Sequence, residues 1–243
     1  MNRAALTGGL LLCLAGRAFG QAAATPTASE PTSFASKLTI GIYHQDGSTA
    51  YDLNLRHQIG DTITAWLGAF IAANRRVIGR AGAQYGLQRE NMLLQPGLEV
   101  GTNGFVMGTV YSEVGGNLFA IGGYSRTNLK PTNDITFDPN DSAQLGAGWK
   151  RGGDRISAYR IFDIRLNTRQ QDTHVIWKHR LDQYTAVTID TIYKSGHTDS
   201  GRYVHAVGAG LYYDHAWFAK LYYDPFANFS DHTQIRLTFG KKF

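Results

Sequence analysis

The stretch 203-YVHAVGAGLYY-213 sets larger side chains at every second position. Tyr203, His205, Val207, Ala209, Leu211 and Tyr213 alternate with Val204, Ala206, Gly208 and Gly210. Successive side chains of a strand point to opposite faces, so a period of two predicts a β-strand with one bulky face and one small-residue face. The pattern continues outward in both directions. Trp217, Ala219, Leu221 and Tyr223 oppose Lys220 and Tyr222, and Ile235, Leu237 and Phe239 oppose Gln234, Arg236 and Thr238. Upstream, Thr185, Val187, Ile189, Thr191 and Tyr193 face away from Asp190 and Lys194; Ala143, Leu145, Ala147 and Trp149 face away from Gln144 and Lys150; and Tyr51, Leu53 and Leu55 face away from Asp52, Asn54 and Arg56. In every case charge is confined to one face.

Segments of this kind fall near 37–44, 48–57, 62–71, 77–87, 91–101, 104–113, 117–126, 142–150, 154–166, 172–181, 185–195, 201–213, 216–224 and 233–243, which predicts fourteen strands, with twelve as the alternative if one hairpin is merged or lost. The predicted fold is all-β, a closed antiparallel transmembrane barrel. A soluble sandwich would also alternate, so the distribution of aromatics decides between them. Tyr51, Trp149, Tyr193, Tyr213, Trp217 and Tyr223 sit toward the ends of the apolar faces, where rings with an apolar body and a polar tip meet lipid headgroups. The opposite faces combine small residues with charge, which suits a narrow polar lumen.

Composition agrees. No apolar run among the 243 residues is long enough for a membrane helix, and a mean hydropathy of −0.26 does not argue against a barrel, because alternating faces average out along each strand. High glycine (28), tyrosine (13) and phenylalanine (12) with only 6 prolines suit strands better than helices. At the N-terminus, Arg3 precedes an apolar segment from Ala4 to Ala15, and Ala18-Phe19-Gly20 supplies small residues for cleavage. Residues 1–20 therefore read as a signal peptide, 21–36 as a flexible leader rich in Ala, Thr, Ser and Pro, and 37–243 as the barrel. The single cysteine, Cys13, lies inside the signal segment, so disulfides and thiol chemistry are not expected. Setting aside Arg3 and Arg17 reduces 24 basic residues to 22 against 19 acidic, too small an excess to argue for nucleic acid.

The final segment alternates up to Phe243, the last residue. With the signal peptide and the strand pattern, this resembles Gram-negative outer-membrane β-barrel proteins as a class. The resemblance implies that Phe243 is the assembly signal read by the barrel-assembly machinery, that the surroundings are outer-membrane lipid and lipopolysaccharide, and that the address is the bacterial outer membrane. An even strand number returns the C-terminus to the periplasmic side, where Gln58-Ile59-Gly60-Asp61, Gly115-Gly116, Arg151-Gly152-Gly153-Asp154 and Asp214-His215 would be short turns. The longest connections, Thr127 to Asp141, Ser195 to Gly201 and Pro225 to His232, would face outside.

Charges on the inward parity are the candidate functional residues. Asp163, Arg165, Asp172 and His174 flank one hairpin and are expected close together at its outer end, either propping the wall or tuning a pore. Asp52, Arg56, Arg80, Glu99, Lys150, Asp190, Lys194 and Arg236 extend the set and suggest a plugged or narrow polar lumen. Asp134, Asp138, Asn140 and Asp141 offer oxygens that could hold Ca²⁺, although Asp-Pro-Asn-Asp is also an ordinary turn sequence. Ser195, His197 and Asp199 share one loop, a poor setting for a hydrolytic relay that needs head-to-tail alignment. The histidines show no zinc spacing, and no cofactor is expected.

Three readings follow. The leading one is a non-enzymatic, porin-like barrel for transport, either a narrow polar pore or the outer-membrane component of an envelope or polysaccharide export system. The second is a lipid-modifying enzyme, an acyl hydrolase or acyltransferase. The third is a structural or adhesive barrel with ligand-binding outer loops, in which Arg75 and Arg76 meet lipopolysaccharide phosphates.

Overall fold

The computed structural model describes residues 34–130 and 141–243. The expected signal peptide and all but the last three residues of the leader lie outside them. The described residues form strands β1 Ser36–Gln45, β2 Ser48–Ile59, β3 Ile63–Ile71, β4 in two pieces (Val77–Tyr85 and Leu87–Arg89), β5 Met92–Gly101, β6 Val106–Gly115 and β7 Leu118–Thr127. They continue with β8 Ser142–Arg151, β9 Asp154–Asp163, β10 Gln171–Arg180, β11 Ala186–His197, β12 Tyr203–Asp214, β13 Trp217–Asp224 and β14 Gln234–Lys242.

The two pieces of β4 are one strand. Gln84 pairs with Gly97 and Leu87 with Leu94 in a single register, and the ladder lapses only opposite Pro96, which has no N–H to give. Gly86 still donates to the Thr62 carbonyl on the other side. Counted so, the fold is a closed antiparallel barrel of fourteen strands: each strand pairs with its neighbours in sequence, and β1 pairs with β14. Phe243 and Ser36 exchange two backbone hydrogen bonds at that seam, 2.8 and 2.9 Å.

One end of the barrel carries Ser36 and Phe243 and will be called the terminal end; the other is the loop end. Connections at the terminal end are short. At the loop end only β1 and β2 are joined tightly, by Asp46-Gly47 with φ of 45° and 79°, the pair of positive angles that a two-residue hairpin matching strand twist requires.

The outer face is apolar and the aromatics form two girdles on it. Tyr51, Tyr124, Tyr193, Tyr203 and Tyr223 ring the loop end, while Tyr85, Trp149, Trp177, Tyr213 and Trp217 ring the terminal end. Ten residues separate Tyr203 from Tyr213 on β12, which at about 3.3 Å per residue and a tilt of about 40° is a band about 25 Å tall, the height of a bilayer's hydrocarbon core seen by such barrels. A continuous apolar band of that size has no counterpart on a soluble monomer.

The inner face shows a second regularity. At four positions of the described wall an inward ring lies over the inward glycine paired with it across strands: Trp66 over Gly82, Phe119 over Gly148, Tyr222 over Gly210 and Phe218 over Gly240. A Cβ on any of these glycines would collide with the partner's side chain. The rings thus lie along the wall instead of reaching across the lumen.

Candidate functional site

The lumen is built from the inward parity of all fourteen strands, and its chemistry changes along the axis. Toward the loop end it is a layer of buried ion pairs and rings. Arg80 on β4 donates from Nη2 to both Asp52 oxygens, at 2.6 and 2.7 Å, with both side chains under a tenth exposed. Edge-to-face packing of Tyr43 on Phe70 closes over this pair's neighbourhood, with centroids 5.7 Å apart. On β10 and β11, His174 Nδ1 lies 3.1 Å from Asp190 Oδ1, and its ring stacks on Tyr159 at 4.9 Å. Lys194 reaches Asp224 at 2.5 Å and is wholly buried. Charges so placed must be compensated, because desolvation of a lone one costs several kcal/mol, of order 3–5 when a partner is removed.

The terminal half is different. Lys242 on β14, Lys37 on β1 and Arg56 on β2 are direct cross-strand neighbours, and all three face inward. Lys220 on β13 faces the same space. Lys242 pairs with Asp214 at 2.7 Å. The other three lie against rings: Lys37 over Phe218 at 4.3 Å, Arg56 over Trp66 at 4.9 Å and Lys220 over Tyr212 at 4.5 Å. Phe218 and Trp66 are two of the rings laid flat on glycine, so the wall here is glycine, then aromatic, then cation. All four cations are only partly buried. Across the lumen, Arg155 meets Glu113 at 2.5 Å while its guanidinium stacks on Phe119, and Tyr111 donates to the same carboxylate.

The residues singled out in sequence are distributed as follows. Asp52, Arg56, Arg80, Glu99, Lys150, Asp190, Lys194 and Arg236 all lie on the inward parity. Asp163, Arg165, Asp172 and His174 do not share one network. Asp163 accepts hydrogen bonds from the N–H groups of Arg165, Leu166 and Thr168, which ends β9 there instead of at 166. Arg165 donates to Asp141 and to the Thr127 carbonyl. Asp172 pairs across strands with Lys194, and His174 pairs with Asp190.

Asp134, Asp138 and Asn140 lie outside the described residues. Asp141 is described, and its carboxylate is occupied by the Thr127 N–H and hydroxyl and by Arg165, with Arg126 at 3.6 Å. Burial works to raise its pKa, but the hydrogen bonds from Thr127 and the Arg165 charge outweigh that and hold it below the ordinary carboxylate value. Among the described residues no group of three or more His, Cys, Asp or Glu is placed to hold a metal ion.

Ser195 accepts from Gln171, His197 Nδ1 faces the Thr168 carbonyl, and the Asp199 N–H donates to Phe229. These three residues therefore have three separate sets of partners and form no relay. The sequence reading did not single out Lys37, Lys242, Glu113 or Arg155 as site residues. Lys37 and Lys242 sit at strand ends, where boundaries are least certain; the parity that places Leu38 and Lys241 outward does place them inward.

No known protein family and no curated protein matches the chain in sequence. Solved structures do match in shape. The Acinetobacter baumannii outer membrane protein Omp33 aligns with a TM-score of 0.55 and 7% identity over 86% of this chain and 98% of its own. The NanC porin aligns with a TM-score of 0.48 and 13% identity over 85% and 100%, and OprD from Pseudomonas aeruginosa with 0.47 and 8% over 87% and 95%. At these identities the likeness concerns the fold. The chain therefore has the fold of Gram-negative outer-membrane β-barrels, shared over nearly the whole length of Omp33.

Proposed function

We propose that this chain forms a narrow, charge-lined pore for small polar solutes in the bacterial outer membrane. The observation that carries the reading is the wall itself: rings lie flat on glycine, which leaves the terminal half of the lumen to partly exposed cations. A barrel that served only as a scaffold would gain more from filling that space with apolar side chains than from facing partly exposed cations into it, since buried charge adds little stability. The loop half, with its compensated ion pairs, supplies the constriction that makes the pore selective by size and charge.

In this reading residues 1–20 direct export, the terminal end faces the periplasm, Phe243 presents the assembly signal, and the outer girdles sit in lipid and lipopolysaccharide. The lipid-modifying alternative draws no support from Ser195, His197 and Asp199, whose partners differ. Nothing among the described residues favours an export-complex role over a simple pore.

The test is solute-dependent swelling of proteoliposomes holding the refolded chain. Amino acids and pentoses are expected to enter and trisaccharides to be excluded. Swelling no faster than in protein-free liposomes for any solute overturns the proposal.

A further inference from the structure

Lys242, Lys37 and Arg56 stand in one row on three adjacent strands, each directly opposite the next, with Lys220 facing the same space. Like charges placed directly across strands destabilise a sheet, so a wall that keeps three in succession does so against its own stability. Asp214 answers one of them, through Lys242. Its field also reaches Lys37 and, together with that of Asp190, Lys220, while Glu99 is the acid whose field reaches Arg56. Among the described residues, the three cations of the row and Lys220 have one carboxylate in ion-pair contact, Asp214 on Lys242.

Their arrangement is that of a receptor. Lys37, Arg56 and Lys220 rest on Phe218, Trp66 and Tyr212 at 4.3 to 4.9 Å. Aromatic faces position a cation without neutralising it, whereas a carboxylate partner would do both. All four residues keep part of their surface exposed. Neighbouring strands lie about 4.8 Å apart, so the row from Lys242 to Arg56 spans about 10 Å, the reach of two anionic groups on one small molecule. Arg56 adds a planar fork suited to a carboxylate or a phosphate.

We propose that Lys242, Lys37, Arg56 and Lys220 form a binding site for small, multiply charged oxyanions at the terminal mouth of the barrel. The site deepens the pore reading by naming the solute class and rests on it for transport, although binding itself needs only an open mouth. The shared chemistry is two or more negative oxygen groups within about 10 Å, supplied by a polycarboxylate or by a phosphate.

Citrate and pyrophosphate are the probes, titrated calorimetrically into the refolded chain in a non-ionic detergent, with acetate as the single-charge comparison. Citrate or pyrophosphate is expected to bind more tightly than acetate, and binding is expected to weaken as salt is raised. Lys37→Gln, Arg56→Gln and Lys220→Gln should each weaken it by about tenfold. Arg160→Gln, on the outward face, should leave it unchanged. Binding of citrate alone or pyrophosphate alone assigns the solute to carboxylates or phosphates. No binding of either probe, or binding equal in wild type and in all three lumen variants, overturns the site. If the chain admits solutes into liposomes but binds neither anion, this inference falls and the pore stands; if it binds them through Lys37 but admits nothing, the pore falls and the site stands.

Discussion

Lys194 and Asp224 meet at 2.5 Å in the loop half of the lumen, with the ring of Phe229 5.7 Å from the ammonium. Phe229 comes from the β13–β14 loop and is fully buried although its φ is 52°, and Phe226 and Asn228 share the left-handed region. Such a backbone costs of order 1 kcal/mol or more per residue and persists only where packing holds it. Phe229→Ala should therefore loosen this part of the constriction. The expected outcome is a larger unitary conductance together with a loss of about 3 kcal/mol of stability in urea unfolding, the usual cost of emptying a buried phenylalanine site.

The Arg80–Asp52 ion pair makes a prediction about pairs. Arg80→Ala leaves Asp52 in a site under a tenth exposed, which should cost about 3 kcal/mol, the low end of the range for a broken buried pair because lumen water softens the penalty. The double variant Arg80→Met with Asp52→Leu should recover most of that. Heat-dependent gel mobility of the three proteins measures it, and equal losses in single and double variants would show that the pair is not compensated as described.

The lipid face can be checked by depth. Leu211 is outward on β12 with the aliphatic Ile189 and Leu221 directly across from it, between the levels of the two girdles. Leu211→Arg should destabilise the barrel by about 2–4 kcal/mol, and Tyr203→Arg at the rim by about 1 kcal/mol or less. Reversible unfolding in lipid vesicles reads the difference.

Glycine on the inner wall makes room for aromatic rings. A methyl group at Gly210 would occupy the place of the Tyr222 ring, so Gly210→Ala should cost about 1–3 kcal/mol by overpacking. It should also swing Tyr222 into the lumen and reduce solute entry. Gly108→Ala, on the outward parity of β6 with open space around it, should leave solute entry unchanged.

Asp141 carries the pH dependence expected outside the strands. Its carboxylate is held below the ordinary value by Thr127 and Arg165, so the stabilisation is fully present above the unfolded-state value of about 3.9 and is lost as pH falls through the lower folded-state value. The difference in thermal midpoint between wild type and Asp141→Asn should be largest at neutral pH and shrink toward zero in acid. A difference that grows on acidification would contradict this.

The barrel was legible in the sequence because alternation alone fixes which face each side chain takes. Tyr51 against Asp52, Val207 against Gly208 and Leu237 against Arg236 occupy the faces that their parity predicts. Parity does not give depth or partners. It put Asp163 on the same face as Asp172, yet Asp163 spends its oxygens on three N–H groups of its own loop. The aromatic–glycine pairs were also beyond reach, because Phe119 meets Gly148 only through a register between strands separated by a long connection. The break in β4 is explained by Pro96 on the facing strand, which becomes visible only once that register is known.

The most direct measurement is single-channel recording of the refolded chain in a planar bilayer under a potassium chloride gradient. The account predicts small unitary steps, a reversal potential on the anion-selective side, and a shift toward neutrality when Lys37 and Arg56 are both replaced by glutamine. Large steps like those of a wide water-filled porin, or no steps in either wild type or Phe229→Ala, would contradict it.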